Sequence, residues 1–310
     1  MDFRECEYMV EIDKEKNVTK AARNLFISQS ALNQQLLKLE KQLGSQLFIR
    51  SRSEWHTTEV GEVYLAGARK ALTIKKETYK RIYEITHSKN SELRIGLTSG
   101  RGVSMFTEIY PTLHARFDDL KITPIEMGVR AQLRSLSEGA LDIGFVTLRN
   151  DQRSTDNYHK IGEEEMVVVV PVKHPVCYNY SIPKNGLLPM IDLRKLEYEP
   201  FVLISPPSTN RQIIDDIFEK TGFDPMILME INNSASIPGL VASGLCCSII
   251  PRYYVDIQNP NYCCFVLPSH PTWDICVVSR HGSYLTDAGK EFIHLAKNYC
   301  DQILTPVQKD

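Results

Sequence analysis

Between residues 3 and 43 the apolar positions return every three or four residues. Residues 3–13 form a short amphipathic stretch. Asn17 can cap a second helix that holds Ala21, Ala22 and Leu25. Phe26-Ile-Ser28 interrupts it, and a third helix runs on to Leu43, stopped by Gly44. Leu32, Leu36, Leu39 and Leu43 predict one apolar stripe on that helix. Ser30, Gln34 and Lys41 point roughly the other way, with Asn33 and Lys38 at the edges. Residues 47–58 alternate weakly and predict a short two-stranded ribbon. From 58 to 86 there is no proline, and Leu65, Ala68, Leu72, Lys75, Tyr79 and Ile82 keep a three-four spacing. That predicts a long helix with a coiled-coil-like seam suited to dimerisation. The plainer alternative is a solvated surface helix, since basic residues stand at 69, 70, 75, 76, 80, 81 and 89.

Beyond residue 91 the pattern changes to strands and helices in alternation. Strands are expected at 93–97, 121–126 and 141–146, with helices at 103–117 and 130–138 between them. A second series follows, with strands at 166–170, 201–204, 226–231 and 246–250 and helices at 209–221 and 236–243. Strands at 265–267 and 274–278 and a helix at 286–303 close the chain. Such alternation implies an α/β body with a mostly parallel sheet. Two similar units, with the chain passing into the second near 165 and back near 267, make a hinge and a cleft.

The overall balance of 36 Lys and Arg against 38 Asp and Glu conceals an asymmetry. Residues 1–90 carry an excess of four positive charges, and the remainder an excess of six negative ones. Between Lys16 and Arg52 there are seven cations and one acid, Glu40. A basic head on an acidic body suggests two tasks. The first ten residues lack the basic start and apolar run of an export signal, and no apolar stretch approaches the ~18–20 residues of a membrane span, so a cytoplasmic location is expected. The eight cysteines are too sparse for a disulfide framework, and reduced thiols are the default.

A DNA-reading helix needs short polar side chains at its N-terminal end, an apolar face to hold it in place, and nearby cations for phosphates. Gln29, Ser30, Asn33 and Gln34 suit the first need, and Asn and Gln can pair bidentately with adenine. A plain helical bundle with solvated polar residues is the alternative on spacing alone. The motifs go further. Val18-Thr-Lys-Ala-Ala-Arg-Asn-Leu25, Ser28-Gln-Ser-Ala-Leu-Asn33, Leu39-Glu-Lys-Gln-Leu-Gly44, Leu47-Phe-Ile-Arg50 and Thr58-Glu-Val-Gly61 resemble the N-terminal signature of LysR-type transcriptional regulators, without a gap from about 3 to 61. Leu93-Arg-Ile-Gly96, Leu141-Asp-Ile-Gly144, Gly222-Phe-Asp-Pro225 and Val241-Ala-Ser-Gly-Leu245, with Ile250-Pro251, are similar to that family's effector domain.

The resemblance implies an N-terminal all-α winged helix-turn-helix at 1–58, a dimerising linker helix at 59–90, and an effector-binding domain at 91–304. That domain would be α/β and two-lobed, like periplasmic binding proteins. Lobe I would hold about 91–164 and 268–304, lobe II about 165–267. Ser28 to Gln34 would open the recognition helix, and Arg50 and Arg52 would lie in the wing. Thr19 and Lys38 complete the expected DNA contacts. The pattern departs from the family where Ser30 replaces a usual proline, Asn33 a usual serine and Ser53 a usual second wing arginine. Trp55 and Thr57 replace aliphatics. These departures bear on base preference and wing contacts.

A cleft ligand would meet loops at the carboxyl ends of strands and the helix N-termini after them, where free N–H groups favour anions. Those positions are Thr98, Ser99, Gly100 and Arg101, then Gly128, Val129 and Arg130, then Thr147. From the other lobe come Ser205, Ser208, Thr209, Asn210, Asn232, Asn233 and Ser234. Thr98, Ser99 and Ser205 match effector-contact loops by resemblance, and Arg101 and Arg130 could hold a carboxylate. Capping and turn chemistry explain the same Ser, Thr and Asn without a ligand.

Gly100-Arg-Gly102 after a strand imitates a dinucleotide fingerprint, but the third glycine and the later acid are missing. Cys246-Cys247 and Cys263-Cys264 read most simply as small core residues. The expected partners are double-stranded operator DNA, a small-molecule effector of anionic character, and further copies of the chain as a homodimer or homotetramer. RNA polymerase is a candidate additional contact. No cofactor, metal or enzymatic activity is expected. Three alternatives remain: a two-lobed binding protein without DNA output, a cysteine-based redox-sensing regulator, and an α/β enzyme.

Overall fold

The computed structural model describes residues 2–50, 55–86, 92–180, 187–304 and 307. It divides into two compact units, residues 1–89 and 90–310.

In the first unit each helix is bounded by the residues that its sequence offers as caps. Helix α1 (Phe3–Glu15) starts at Asp2, whose side chain forms a reciprocal capping box with Glu5. Helix α2 (Val18–Asn24) starts at Asn17, which accepts the Thr19 and Lys20 N–H groups. Helix α3 (Gln29–Leu43) starts at Ser28 and ends at Gly44 in the left-handed region. Strands β1 (Phe48–Ile49) and β2 (His56–Thr57) pair antiparallel as a small wing, and helix α4 (Glu59–Thr86) follows. Met9, Ile12, Ala21, Leu32, Leu36, Leu39, Leu47 and Leu65 form the core of this head.

Two expectations are corrected here. Leu43, the last member of the apolar stripe on α3, is 45% exposed, and Glu40 is buried instead. Past Leu39 the helix has outrun its neighbours, and the chain entering the wing folds under it. The buried Glu40 carboxylate accepts the Leu47 N–H at 2.9 Å and Arg50 Nη2 at 3.0 Å. The seam on α4 is also divided. Leu65 and Ala68 are buried within the head, where α4 packs against α1, whereas Tyr79 and Ile82 are exposed. Arg69 pairs with Asp13 and Lys75 with Glu7, so the two helices run antiparallel. Arg52, Ser53, Lys89 and the side chains of Lys80 and Arg81 lie outside the described residues.

The second unit begins with β3 (Glu92–Leu97), α5 (Arg101–Arg116), β4 (Lys121–Glu126), α6 (Val129–Ser137) and β5 (Ile143–Leu148). Strand β6 (Asn157–Pro171) is long. After it come β7 (Pro200–Ile204), α7 (Thr209–Thr221), β8 (Met226–Ile231), α8 (Ile237–Ala242), β9 (Ser248–Pro251), β10 (Tyr262–Val266), β11 (Thr272–Ser279) and α9 (Asp287–Ile303). The sheet order is β10-β6-β11-β5-β3-β4, with β9 also on β6 and a separate β7–β8 pair.

The sheet is mixed rather than mostly parallel. Strand β3 runs parallel to β4 and β5, and β7 to β8. Strand β6, by contrast, is antiparallel to β11, β9 and β10. The cause is the connection itself. The strand predicted at 166–170 is the far half of β6, which leaves the first lobe and enters the second. Strand β11 brings the chain back, so the outgoing and returning strands lie side by side in opposite directions. Helices α5 and α9 cover one face of the first lobe's sheet, and α6 the other. In the second lobe α7 and α8 pack on opposite faces. Cys247 and Cys263 join the core under α7, and Cys246 and Cys264 the one under α8. Adjacent cysteines in extended chain thus serve two faces.

Candidate functional site

On α3 the buried leucines hold one side against the head, and the opposite side is free. Thr19, Ser28, Gln29, Ser30, Gln34 and Lys38 are exposed and Asn33 is partly so. The Thr19 hydroxyl donates to Gln29 Oε1 at 3.1 Å, tying the start of α2 to the start of α3. Ser28 caps α3 through its Oγ, which also lies 3.1 Å from Ser30 Oγ. Arg50 reaches the wing surface, but it is held. Glu40 takes one of its nitrogens, and its guanidinium lies 5.3 Å from the Trp55 ring centroid. The one acid in the basic stretch is therefore buried and orients a wing cation. That role is invisible in a charge count. Trp55, in turn, donates its backbone N–H to Lys16 O at 3.1 Å, which fixes the wing to the end of α1.

In the second unit a cavity of about 590 Å3 opens between the lobes. Of the residues anticipated there, Thr98, Ser99, Arg101, Gly128, Val129, Arg130, Thr147, Ser208, Thr209, Asn210, Asn232 and Ser234 line it. Gly100, Ser205 and Asn233 do not line it. Gly100 sits at φ 69° against Tyr254, where an added Cβ would stand 3.2 Å from the phenol oxygen. The Ser205 N–H is bound to Ile231 O, and the Asn233 side chain caps a short turn at Ala235.

The structure adds Leu133, Gln152, Pro207, Gln212, Tyr254 and Trp273 to the lining. Trp273 begins the returning strand, and Tyr254 follows β9, so neither lies in a loop after a parallel strand. Their signal in the sequence is weak: aromatic residues beside a lobe crossing.

The floor of the cleft is built around Arg101. Its side chain is 3% exposed and paired with Glu164 at 2.5 Å. Glu164 also accepts Trp273 Nε1 and the Tyr253 N–H, each at 2.7 Å. The Arg101 guanidinium stacks 4.3 Å from the Tyr253 ring centroid. Nε and Nη1 of Arg101 and Oδ1 of Asn210 find no partner among the described residues. Burial raises the Tyr254 hydroxyl, which stays a neutral donor. Arg130 is exposed and makes no ion pair among the described residues. Across the cleft mouth Gln152 bonds Gln212 and Arg149 pairs with Asp216, so the loop after β5 meets α7.

The helix starts around the cavity differ. Helices α5 and α6 begin at Gly100 and Gly128, with no side-chain cap on either. Helix α7 is capped by Ser208, whose Oγ accepts the Arg211 N–H. The first lobe therefore offers two uncapped helix N-termini to a ligand.

Comparison with known proteins agrees with this anatomy. Residues 3–62 match the bacterial regulatory helix-turn-helix protein, lysR family, and residues 86–301 the LysR substrate binding domain. The uncharacterized HTH-type transcriptional regulator YnfL of Escherichia coli K12 is 31% identical over 270 residues, covering 83% of this chain and 84% of YnfL. The regulator BenM of Acinetobacter baylyi is 29% identical over 262 residues, 84% of each chain. Among solved structures, full-length BenM superposes with a TM-score of 0.57 at 23% identity, over the whole of both chains. A full-length OxyR from Pseudomonas aeruginosa gives 0.63 at 22% identity, covering 100% of this chain and 99% of OxyR. CbnR complexed with its target DNA gives 0.55 at 19% identity, covering 96% and 99%. The chain belongs to the LysR family: it is a DNA-binding transcriptional regulator with a winged helix-turn-helix head and a two-lobed, effector-binding α/β body.

Proposed function

We propose that the head reads operator DNA through Gln29, Ser30, Asn33 and Gln34 in the major groove. Thr19, Ser28 and Lys38 face the backbone phosphates, as does Arg50 through the donors that Glu40 leaves unused. Arg52 belongs to the same wing by sequence. The observation that supports this reading is the division of α3 into a face buried through Leu32, Leu36 and Leu39 and an exposed polar face beginning at its N-terminus. Replacing Gln34 or Asn33 by Ala is expected to relax preference at one base pair by roughly 1–3 kcal/mol. Unchanged affinity for every sequence would place the reading surface elsewhere.

The effector is a small molecule with a carboxylate. Its anionic end docks on the first lobe, at the uncapped starts of α5 and α6 and the free guanidinium of Arg130. Thr98, Ser99, Thr147 and Asn210 orient the remainder, and Tyr254 and Trp273 supply apolar surface. Arg101 has its charge already matched by Glu164 and serves as a neutral-pair donor at the floor. A thermal-shift screen of small carboxylates on the full chain tests this, because a ligand that binds only the folded form raises its stability. Arg130→Gln should abolish the shift and leave the ligand-free melting temperature unchanged. An undiminished shift would contradict the assignment.

The chain acts as a homodimer or homotetramer in the cytoplasm. The exposed apolar positions of distal α4 and the edge strand β8, where Met226 to Met229 are all exposed, suit self-association. Ligand closure of the lobes favours one subunit arrangement, which alters half-site spacing or DNA bending and so transcription.

A further inference from the structure

The turn between α2 and α3 contains an unusual residue. Phe26 has φ 56°, in the left-handed region, and its side chain is 96% exposed. No other large hydrophobic among the described residues is as exposed. The backbone there is well held: Phe26 N–H donates to Arg23 O at 3.2 Å and Ile27 N–H to Ala22 O at 3.1 Å. Leu25 and Ile27 on either side pack on the core of the head. The left-handed conformation of Phe26 is what turns both neighbours inward, and it sends the ring out to water. For the turn alone, an aromatic is a poor choice. Glycine or asparagine takes that conformation with less strain and exposes no ring. The fold obtains nothing from this ring.

Its position relates it to an external surface. Phe26 lies two residues before Ser28, the cap of α3, and three before Gln29. When the first turn of α3 enters the major groove, the residue leading into it stands at the groove rim. The apolar group presented in the major groove is the C5-methyl of thymine, and Phe is a side chain that packs on it.

We propose that Phe26 is a specificity-determining residue of the DNA interface, packing its ring on a thymine methyl at the edge of the operator half-site. This rests on the assignment of α3 as the reading helix. It differs in kind from the Asn and Gln contacts, since it reads a methyl group and carries no charge. Its contribution is therefore insensitive to salt.

The test uses the full chain and the duplex that wild-type protein selects from a random-sequence pool. Each thymine is replaced in turn by deoxyuridine, which deletes only the methyl. At one position per half-site the wild type should lose roughly fourfold in affinity, the worth of one buried methyl group. Phe26→Asn, which suits the left-handed turn, should bind the parent duplex about as weakly as wild type binds the deoxyuridine duplex. It should not distinguish the two, and its salt dependence should match wild type. Its melting temperature should equal or exceed that of wild type, which shows the head intact. Phe26→Gly provides the same reading in a second background. Equal sensitivity of wild type and both variants at every thymine, or insensitivity of all three, overturns the proposal while leaving the helix assignment standing. Failure of the wild type to select any duplex overturns both.

Discussion

Arg101, the first residue of α5, and Glu164, at the middle of the outgoing strand β6, form an ion pair in which each side chain is only 3% exposed. A cation at the start of a helix opposes the helix dipole, and Glu164 supplies the negative charge that the position favours. The same carboxylate binds Tyr253 in the second lobe and Trp273 on the returning strand. One side chain thus joins both lobes and both crossing strands at the floor of the cleft. Removing it leaves a buried, uncompensated guanidinium. Glu164→Ala should lower the stability of the body by about 3–5 kcal/mol. Denaturant unfolding followed by Trp273 emission, in a Trp55→Phe background, measures this; a loss below about 1 kcal/mol would contradict the role.

Asp13 plays the corresponding part in the head, where Lys16 just past α1, Thr57 of β2 and Arg69 of α4 converge on it. Burial alone would raise its carboxyl, but the hydrogen bonds outweigh burial and hold it below the ordinary carboxylate range. A depressed folded value stabilises the protein above the unfolded value of about 3.9 and is lost as pH falls through the folded one. Asp13→Asn should therefore cost about 1–2 kcal/mol at neutral pH. That gap should close once acid has protonated the wild-type carboxyl. Melting curves across pH give the answer, and a gap of constant size down to the acid limit would contradict it.

Gly61 lies in the first turn of α4, where the wing returns beneath it. A Cβ there would fall 2.1 Å from Leu47 O and 2.8 Å from Thr57 Cγ2. The Thr58 hydroxyl donates to Gln46 O at 2.7 Å and accepts the Gly61 N–H at 2.9 Å, which clamps the approach. Gly61→Ala should destabilise the head by at least about 1–3 kcal/mol, despite alanine's better helix propensity. Stabilisation on thermal unfolding would show that the wing does not press on α4.

All eight cysteines are buried. Burial raises the Cys247 and Cys264 thiols to about 12 and those of Cys276 and Cys300 to about 11. A thiol so far above neutrality carries almost no thiolate, the species that reacts with peroxide. The native protein should resist alkylation, and peroxide should leave its DNA affinity unchanged. A peroxide-induced change in affinity that a dithiol reverses would contradict this and support the redox-sensing alternative.

Elements governed by local chemistry were legible in the sequence. Asn17 and Gly44 bound the helices where their capping chemistry places them, and Thr209–Thr221 and Met226–Ile231 coincide with their expected spans. What depends on the return of the chain was not. Periodicity alone makes Leu43 a core residue and Glu40 a surface acid, because the wing that passes under α3 leaves no mark on the helix pattern. Likewise Trp273 and Tyr254 reach the cleft through the strand crossing rather than through a loop after a parallel strand. Its place after β3 makes Gly100 a candidate ligand contact, yet its left-handed φ serves the turn into α5.

The most direct test of the account compares the full chain's affinity for the DNA upstream of its own coding sequence with that for a shuffled duplex of equal composition, over a range of salt. Preference for the upstream fragment by roughly a thousandfold or more is expected, with log affinity for both falling linearly as log salt rises. Equal affinity for the two duplexes, or binding indifferent to salt, would contradict it.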